Sequence, residues 1–591
     1  MKNQYAVDIQ LINVADKGDL HYMADFPYGL ALMTAYLRKQ GINTIMLQYP
    51  TWKKKEYINA ILENPAYLYG FQASSENYVE IQKLVTIIKK SNPNATIIYG
   101  GPFVVDLYVA LLENDPNLDA IVLGEGEYTV EELITILKTG NPKWKLIPGL
   151  ARLDEEEKVV QNQPHRPAIQ DMDAMPFAAR DGINEGDYDT EGFYMHDVRI
   201  TTSRGCTSRC TFCAVNLNSR LQRAKIWRGR SPLNVVDEIQ GLVEKYNVKM
   251  INLQDSAFDD PGTLGPKRNR IFCEEIIKRG LNISMKAYFR AHSIKDDPES
   301  IELYKLYKEA GIDVIIIGAE AGSDYELDLY GKTAKLEDNY RAFRIFNDLD
   351  LFFNHIGFIH YGPYSTIPNL RKNAHFVYTA QSFYWYHTID STLILTPGAK
   401  LHNTIRDEGR MLPRKNFWEF PDYEFASPEI LKLAQHYTHL RTIYPHLDVG
   451  SPLVLKVANV ISRLKNKMNK KILVECEAEV EEFRKVWKYN KNKLNELGYQ
   501  GVMENLDRIE KDGMNADLIA GSKPYFGENW ETCVYDLKAA YENFIITIQD
   551  SGFGTAGLIF DAELTAREQK TNLLEDMKFS RNSQKVNYVQ V

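Results

Sequence analysis

Apolar residues alternate between short unbroken runs and spaced stretches over the first 140 positions. VDIQLINV, NTIMLQY, AYLYGFQA, ATIIYGG and DAIVLGEGE are apolar and rich in β-branched and aromatic residues, as buried strands are. YGLALMTAYLRKQG, YINAILEN, YVEIQKLVTIIKKS, VVDLYVALLEN and TVEELITILKTG place apolar residues at helical spacing. Strand alternating with helix predicts a parallel doubly wound sheet. Five such units suit a flavodoxin-like or Rossmann-like domain over residues 1–140. Ligands of that sheet bind beyond the carboxyl ends of the strands, here the loops 13–27, 72–78, 100–104 and 124–128.

Residues 141–195 are mixed and carry prolines at 142, 148, 164, 167 and 176, which predicts a linker packed on its neighbours. From 196 to 400 the alternation returns. VRITTSRG, KMINLQDS, ISMKAYFR, DVIIIGAEAG, FFNHIGFIHYG and STLILTPG are six strands between helical stretches. This predicts a partial or full β/α barrel, whose site forms at the carboxyl ends of its strands. From 401 to 591 the pattern is helical, with long charged segments such as EAEVEEFRKVWKYNKNKLNEL. The class is therefore α/β, with a helical C-terminal region. HFVYTAQSFYWYH (375–387) either walls a pocket or packs a barrel helix.

Composition narrows the partners. A chain of 591 residues exceeds one core, and its 44 % hydrophobic and 25 % charged residues are ordinary for a globular protein. A net charge of −9 gives no basic face for nucleic acid. No window reaches the length of apolar residues that a membrane span needs, and MKNQYAVDIQLINVAD lacks a leader pattern, so a cytoplasmic location is expected.

RGCTSRCTFCAVN (204–216) holds three of the six cysteines, Cys206, Cys210 and Cys213, spaced CxxxCxxC. Thiolates select zinc, copper(I) or iron–sulfur clusters. A structural zinc needs a fourth Cys or His at matching spacing, and the loop offers none nearby. Three thiolates in one short loop can hold three irons of a [4Fe–4S] cluster and leave the fourth open.

That loop, with Phe212 before its last cysteine and a strand before its first, resembles the radical S-adenosylmethionine superfamily. The resemblance implies that Cys206, Cys210 and Cys213 ligate the cluster, that the open iron takes the amino and carboxylate groups of S-adenosylmethionine, and that Phe212 lies beside its adenine. IIIGAEAGS, INLQDSAF and ISMKAYFR match further strand ends of that family. They imply cofactor contacts from Gly318, Glu320 and Ser323, from Gln254 and Asp255, and from Arg290. An ordinary ion pair is the other reading of Asp255 and Arg290.

GFQASSENY, IIYGGPFV and VLGEGEYTVEEL resemble the cobalamin-binding domain that precedes this barrel in one class of the superfamily. The match implies that Ser74, Ser75, Gly100, Gly101, Pro102, Gly124, Glu125 and Gly126 line the corrin or its nucleotide tail. The alternative is that the glycines only make tight turns. KGDLHYMA (17–24) partly matches a DxHxxG signature that places a histidine under cobalt; Asp19 and His21 fit, and Ala24 departs.

The class implies methyl transfer to an unactivated carbon of a small molecule or peptide, with a 5′-deoxyadenosyl radical and an external electron donor of flavodoxin or ferredoxin type. Ring contraction or cyclisation with the same cofactors is the alternative. Other members keep the N-terminal fold and act without cobalamin. Methylthiotransferases carry a second cysteine cluster in their N-terminal domain, and no cysteine precedes Cys206 here. A cofactor carrier or sensor is the non-enzymatic reading, marked by occupancy without cleavage of S-adenosylmethionine.

Overall fold

The five predicted N-terminal strands form because their side chains are buried on both faces, which selects continuous apolar runs. They are β1 (Val7–Ala15), β2 (Thr44–Pro50), β3 (Ala66–Gln72), β4 (Thr96–Gly100) and β5 (Ala120–Val122). All are parallel, in the spatial order β2-β1-β3-β4-β5. Helices α1 (Tyr28–Lys39), α2 (Lys54–Glu63), α3 (Tyr78–Ser91), α4 (Val104–Asn114) and α5 (Glu127–Leu137) alternate with them. One cluster, including Ile12, Phe71, Ile97 and Leu111, and a second, including Ile9, Leu68, Ile98 and Leu133, fill the core. This order is the flavodoxin-like one, whose direction reverses between β1 and β3, and the crevice at that reversal is where such sheets bind ligands.

The structure, a computed structural model, describes residues 5–15, 27–50, 54–154, 156, 160–180, 198–215 and 217–553. Asp19, His21 and Ala24 of the partial histidine signature lie outside the described residues. Among the described residues no helix is long and apolar enough to cross a membrane.

Two compact units divide the chain, and neither is continuous in sequence. The first holds 1–195, 199–238 and 394–422; the second holds 196–198, 239–393 and 423–591. The stretch read as a linker carries β6 (Leu150–Leu153) and β7 (Val160–Asn162), which extend the first sheet antiparallel past β5. Four and three residues long between prolines, they leave little periodicity to read. β8 (Val198–Ile200) runs from the second unit into the first, and the hairpin of β9 (Ser203–Gly205) and β10 (Trp227–Gly229) follows.

In the second unit β11 (Met250–Leu253), β12 (Ser284–Arg290), β13 (Ile312–Glu320) and β14 (Phe353–Phe358) are parallel, in the order β14-β13-β12-β11 with β8 at the edge. That makes five strands and not six. Among the described residues STLILTPG pairs through one parallel bridge, Tyr361 to Thr392. Its Pro397 and Gly398 end the apolar run early. The aromatic stretch 375–387 is mostly core: Phe376, Phe383, Tyr384 and Tyr386 are buried. Helices Pro428–Ile443, His446–Leu464, Glu477–Asp512, Leu518–Phe526 and Glu528–Asp550 complete this unit around Trp530 and the stacked pair Phe483 and Phe544.

Candidate active site

Burial separates the six cysteines into two kinds. Cys273, Cys476 and Cys533 are buried, as small apolar side chains are. Burial pushes the Cys533 thiol up to about 11. Cys206 and Cys210 are half-buried and Cys213 is exposed, all in one loop.

The β9–β10 hairpin frames that loop. Arg204 pairs with Arg228 and Gly205 with Trp227. Gly205 has φ +88°, and a Cβ there would lie 2.0 Å from the Ile226 carbonyl oxygen. Only glycine passes that point, and the turn sends Cys206 out of the strand while its amide donates to the same carbonyl at 3.0 Å. The amide of Ser208 donates to Cys206 Sγ, and that of Val215 to Cys213 Sγ, both at 3.4 Å. Amides aimed at sulfur stabilise thiolate charge, and hydrogen bonds to sulfur tune cluster potentials. Among the described residues no three His, Cys, Asp or Glu side chains converge on a single metal ion. The donor set of three accessible thiols with amides on two of them fits an iron–sulfur cluster. Half-buried Phe212 sits within the loop, and the Leu401 amide holds the Thr211 carbonyl at 2.8 Å.

The loop after β5 fastens this hairpin to the first sheet. Arg228 donates twice to Glu125, at 2.6 and 3.0 Å, Arg204 lies 3.4 Å from the same carboxylate, and the Ile169 amide donates to it at 2.9 Å. Burial pushes the Glu125 carboxyl up, but these donors outweigh burial and hold it below the usual carboxylate range. Arg204 also donates to buried Glu127 at 2.7 Å. Gln222 accepts from the Glu125 amide and donates to the Arg166 carbonyl, each at 3.0 Å. A Cβ on Gly124, at φ +88°, would lie 2.5 Å from the Gln222 side chain, and one on Gly126 would lie 3.0 Å from Met33 and Val122. The Glu125 carboxylate and the space beside Gly124 and Gly126 are thus taken up by protein contacts.

The crevice at the reversal differs. Asn77 donates to the Gln72 carbonyl at 3.0 Å and the Val14 carbonyl at 3.3 Å, tying the ends of β3 and β1. Ser74 serves that turn, its hydroxyl accepting from the Asn77 amide at 3.3 Å, and the Ser75 hydroxyl donates to Glu76 at 2.6 Å. A Cβ on Gly100 would meet nothing within 4 Å, while Gly101 (φ +106°) and Pro102 are exposed beside it. This open cradle beside the reversal fits a bulky cofactor such as a corrin.

In the second unit, Glu320 closes β13 in the left-handed region, φ +65°, a strain that persists where surroundings enforce it. Its carboxylate lies 3.2 Å from Lys332 Nζ, which also donates to the Gly318 carbonyl at 3.1 Å. A Cβ on Gly318 would lie 2.8 Å from Glu320 Oε1, so glycine there makes room for the carboxylate. Gly318, Glu320 and Lys332 form a polar group at the strand end. Lys332 was not legible from the strand pattern.

Two other expected contact residues have protein partners. Ser323 is the N-cap of helix Asp324–Leu329, buried, accepting from the Glu326 amide and bonded to the Glu326 carboxylate at 3.0 Å. Its hydroxyl serves the cap and accepts from Asn369, 3.3 Å away. Burial raises the Glu326 carboxyl, against hydrogen bonds from Ser365 and Ser323. Arg290 is buried, donating from Nε to Asp259 at 2.8 Å and lying 2.6 Å from Asp260. Arg290 thus sits in an ion pair with Asp259 and Asp260. Asp255 is buried and Gln254 exposed after β11.

The B12 binding domain family matches residues 23–134, and the Radical SAM superfamily matches residues 200–377. An uncharacterised methyltransferase of Pyrococcus horikoshii is 33 % identical over 263 residues, covering 44 % of this chain and 53 % of that one. An anaerobic magnesium-protoporphyrin IX monomethyl ester cyclase of Cereibacter sphaeroides is 32 % identical over 265 residues, covering 44 % and 41 %. The chain thus spans about half the length of the curated relatives it matches. OxsB, a cobalamin-dependent S-adenosylmethionine radical enzyme solved with aqua-cobalamin, shares the fold over 97 % of this chain and 84 % of its own, with a TM-score of 0.66 at 18 % identity.

Proposed function

Because this chain belongs to the radical S-adenosylmethionine enzymes that carry a B12-binding domain, we propose that it is a cobalamin-dependent methyltransferase acting on an unactivated carbon of a small molecule or peptide. One observation carries the reading: the cysteine hairpin lies in the same compact unit as the B12-binding fold, joined to it by Glu125, Arg204 and Arg228. When bound, the [4Fe–4S] cluster supplies the electron that cleaves S-adenosylmethionine, and cobalamin supplies a methyl carrier.

The chain's own residues do the rest. Cys206, Cys210 and Cys213 would hold the cluster, with the Ser208 and Val215 amides stabilising thiolate charge. Glu320, oriented by Lys332 and given space by Gly318, is placed to bind a polar group of S-adenosylmethionine. Phe212, Gln254 and Asp255 remain candidate contacts on the same grounds as before. The Gly100–Gly101 turn, with Pro102, would cradle the corrin. An external one-electron donor of flavodoxin or ferredoxin type is required.

The test is anaerobic reconstitution with iron, sulfide and cobalamin, then S-adenosylmethionine and reductant. Cys210→Ala is expected to lose cluster iron and its visible absorbance and to form no 5′-deoxyadenosine; sustained deoxyadenosine in that variant would sink the reading. S-adenosylhomocysteine formed only with cobalamin marks a methyltransferase. The similarity to the cyclase, close in extent to that with the methyltransferase, favours a second reading, ring formation without methyl transfer. Deoxyadenosine without cobalamin-dependent S-adenosylhomocysteine in the presence of substrate marks it.

A further inference from the structure

A pocket of about 660 Å³ lies in the second unit, at the opposite end of the sheet from Glu320. Its walls are the end of helix Leu336–Leu349, the first residues of β14, helix His446–Leu464 and one face of helix Glu477–Asp512. It meets β14 at Phe353 and Asn354, whereas Glu320 pairs with Phe358 at the far end of that strand, ~17 Å away at the rise of a strand. It is therefore separate from the site already described.

Four cations line it, Lys465, Arg484, Lys488 and Lys491, against three carboxylates, Asp348, Asp350 and Glu481. Their partners are unequal. Lys465 pairs with Asp350 at 2.8 Å. Arg484 forms no ion pair among the described residues, and its Nε is buried without a hydrogen-bond partner. Among the described residues the Lys491 ammonium bonds the Gln381 amide oxygen at 3.4 Å and lies 5.5 Å from the Tyr384 ring centroid, with the Asp350 charge acting on it without an ion pair. Burial pushes Lys491 down to about 8 against the attraction of Asp350, and repulsion from Lys465 adds to the fall. Lys465 is lowered by burial and, further down, by Lys308 and Arg484. Desolvated cations that repel one another are costly, and a bound anion relieves both desolvation and repulsion. Lys488, exposed on the rim, needs no such explanation.

The remaining wall suits an organic body. Trp487 and Phe353 give flat apolar faces, and the amides of Asn347, Asn354, Gln381 and Asn492 stand among them. Asn354 Oδ1 is itself buried without a partner. The volume is that of a small-molecule site.

We propose that this pocket binds a small organic anion, its charged group taken by Arg484, Lys465 and Lys491 and its flat body resting on Trp487 and Phe353. Phosphate esters and carboxylates share that chemistry. Titration calorimetry on the full-length reconstituted protein at fixed ionic strength, with phenyl phosphate, benzoate and neutral benzyl alcohol, separates them. At least one anion is expected to bind with Kd below ~1 mM, and benzyl alcohol is not. Arg484→Gln and Lys491→Gln should each weaken the anion about tenfold, the size of a lost charge-assisted hydrogen bond, with Arg484→Lys in between. Lys83→Gln, an exposed charge in the other unit, should leave affinity unchanged. Circular dichroism checks that each variant is folded. Absence of heat from both anions up to ~10 mM, or equal affinity in folded Arg484→Gln and Lys83→Gln, overturns the proposal.

Discussion

Two glycine-bearing loops at neighbouring strand ends of the first sheet read alike in sequence and are used in opposite ways. After β4, Gly100 faces open space and Gly101 is exposed. After β5, the space beside Gly124 is filled by Gln222, and Glu125 is bound by two arginines and an amide. A glycine can admit a ligand or admit another part of the same protein, and only the partner tells which. Here the first loop is the candidate cofactor cradle. The second is the fastening that holds the cysteine hairpin against the fold.

The largest test of that contrast is Glu125→Gln. Removing one side of a buried ion pair leaves Arg228 uncompensated, while Arg204 keeps Glu127, a cost of about 3–5 kcal/mol. A lowered denaturant midpoint with an unchanged m value is expected. An unaltered midpoint would place the two loops on the same footing. Gly124→Ala comes next: it combines a left-handed backbone with the 2.5 Å approach of Gln222, and about 1–3 kcal/mol is expected. Adding Gln222→Ala should recover the contact share and leave the backbone share.

Acidification sharpens the same point. Glu125 is held below its unfolded value, so its stabilisation is complete above the unfolded carboxylate pKa and is lost as pH falls through the folded one. The wild-type midpoint should fall more steeply with acid than that of Glu125→Gln. The smallest effect on stability belongs to Gly100→Leu, expected to stay within about 0.5 kcal/mol because nothing lies within 4 Å of the added carbon. The same variant should weaken cobalamin uptake about tenfold or more, read from the visible spectrum during titration. A destabilised Gly100→Leu with unchanged uptake would reverse the roles of the two loops.

What was legible in the sequence follows from distance along the chain. β1 to β5 and the helices between them show because each element carries its own periodicity over several residues. The cysteine loop shows because three cysteines fall within eight positions. The ion pairs of Glu125 were not legible because Arg204 and Arg228 stand 79 and 103 positions after it, and no local pattern pairs them. Arg290 was left between two readings for the same reason: Asp259 and Asp260 precede it by about one strand and helix. Ser323 was legible as a cap in principle, since a serine three before a glutamate opens a helix, but the strand-end resemblance took precedence. β6 and β7 are too short to announce themselves.

The first unit is assembled from three separated pieces of chain, the last of them, 394–422, arriving nearly two hundred positions after the cysteine loop. The Leu401 amide reaches back to Thr211, and Gly398 lies against Leu217. Recombination at the apparent boundaries near 195 or 400 would therefore not transfer a self-sufficient module. A graft of the N-terminal sheet alone would arrive without its hairpin, and a deletion beyond 400 would strip a segment from the cysteine loop's own surroundings. An engineered fusion or swap of this chain must therefore carry all three pieces of the first unit together.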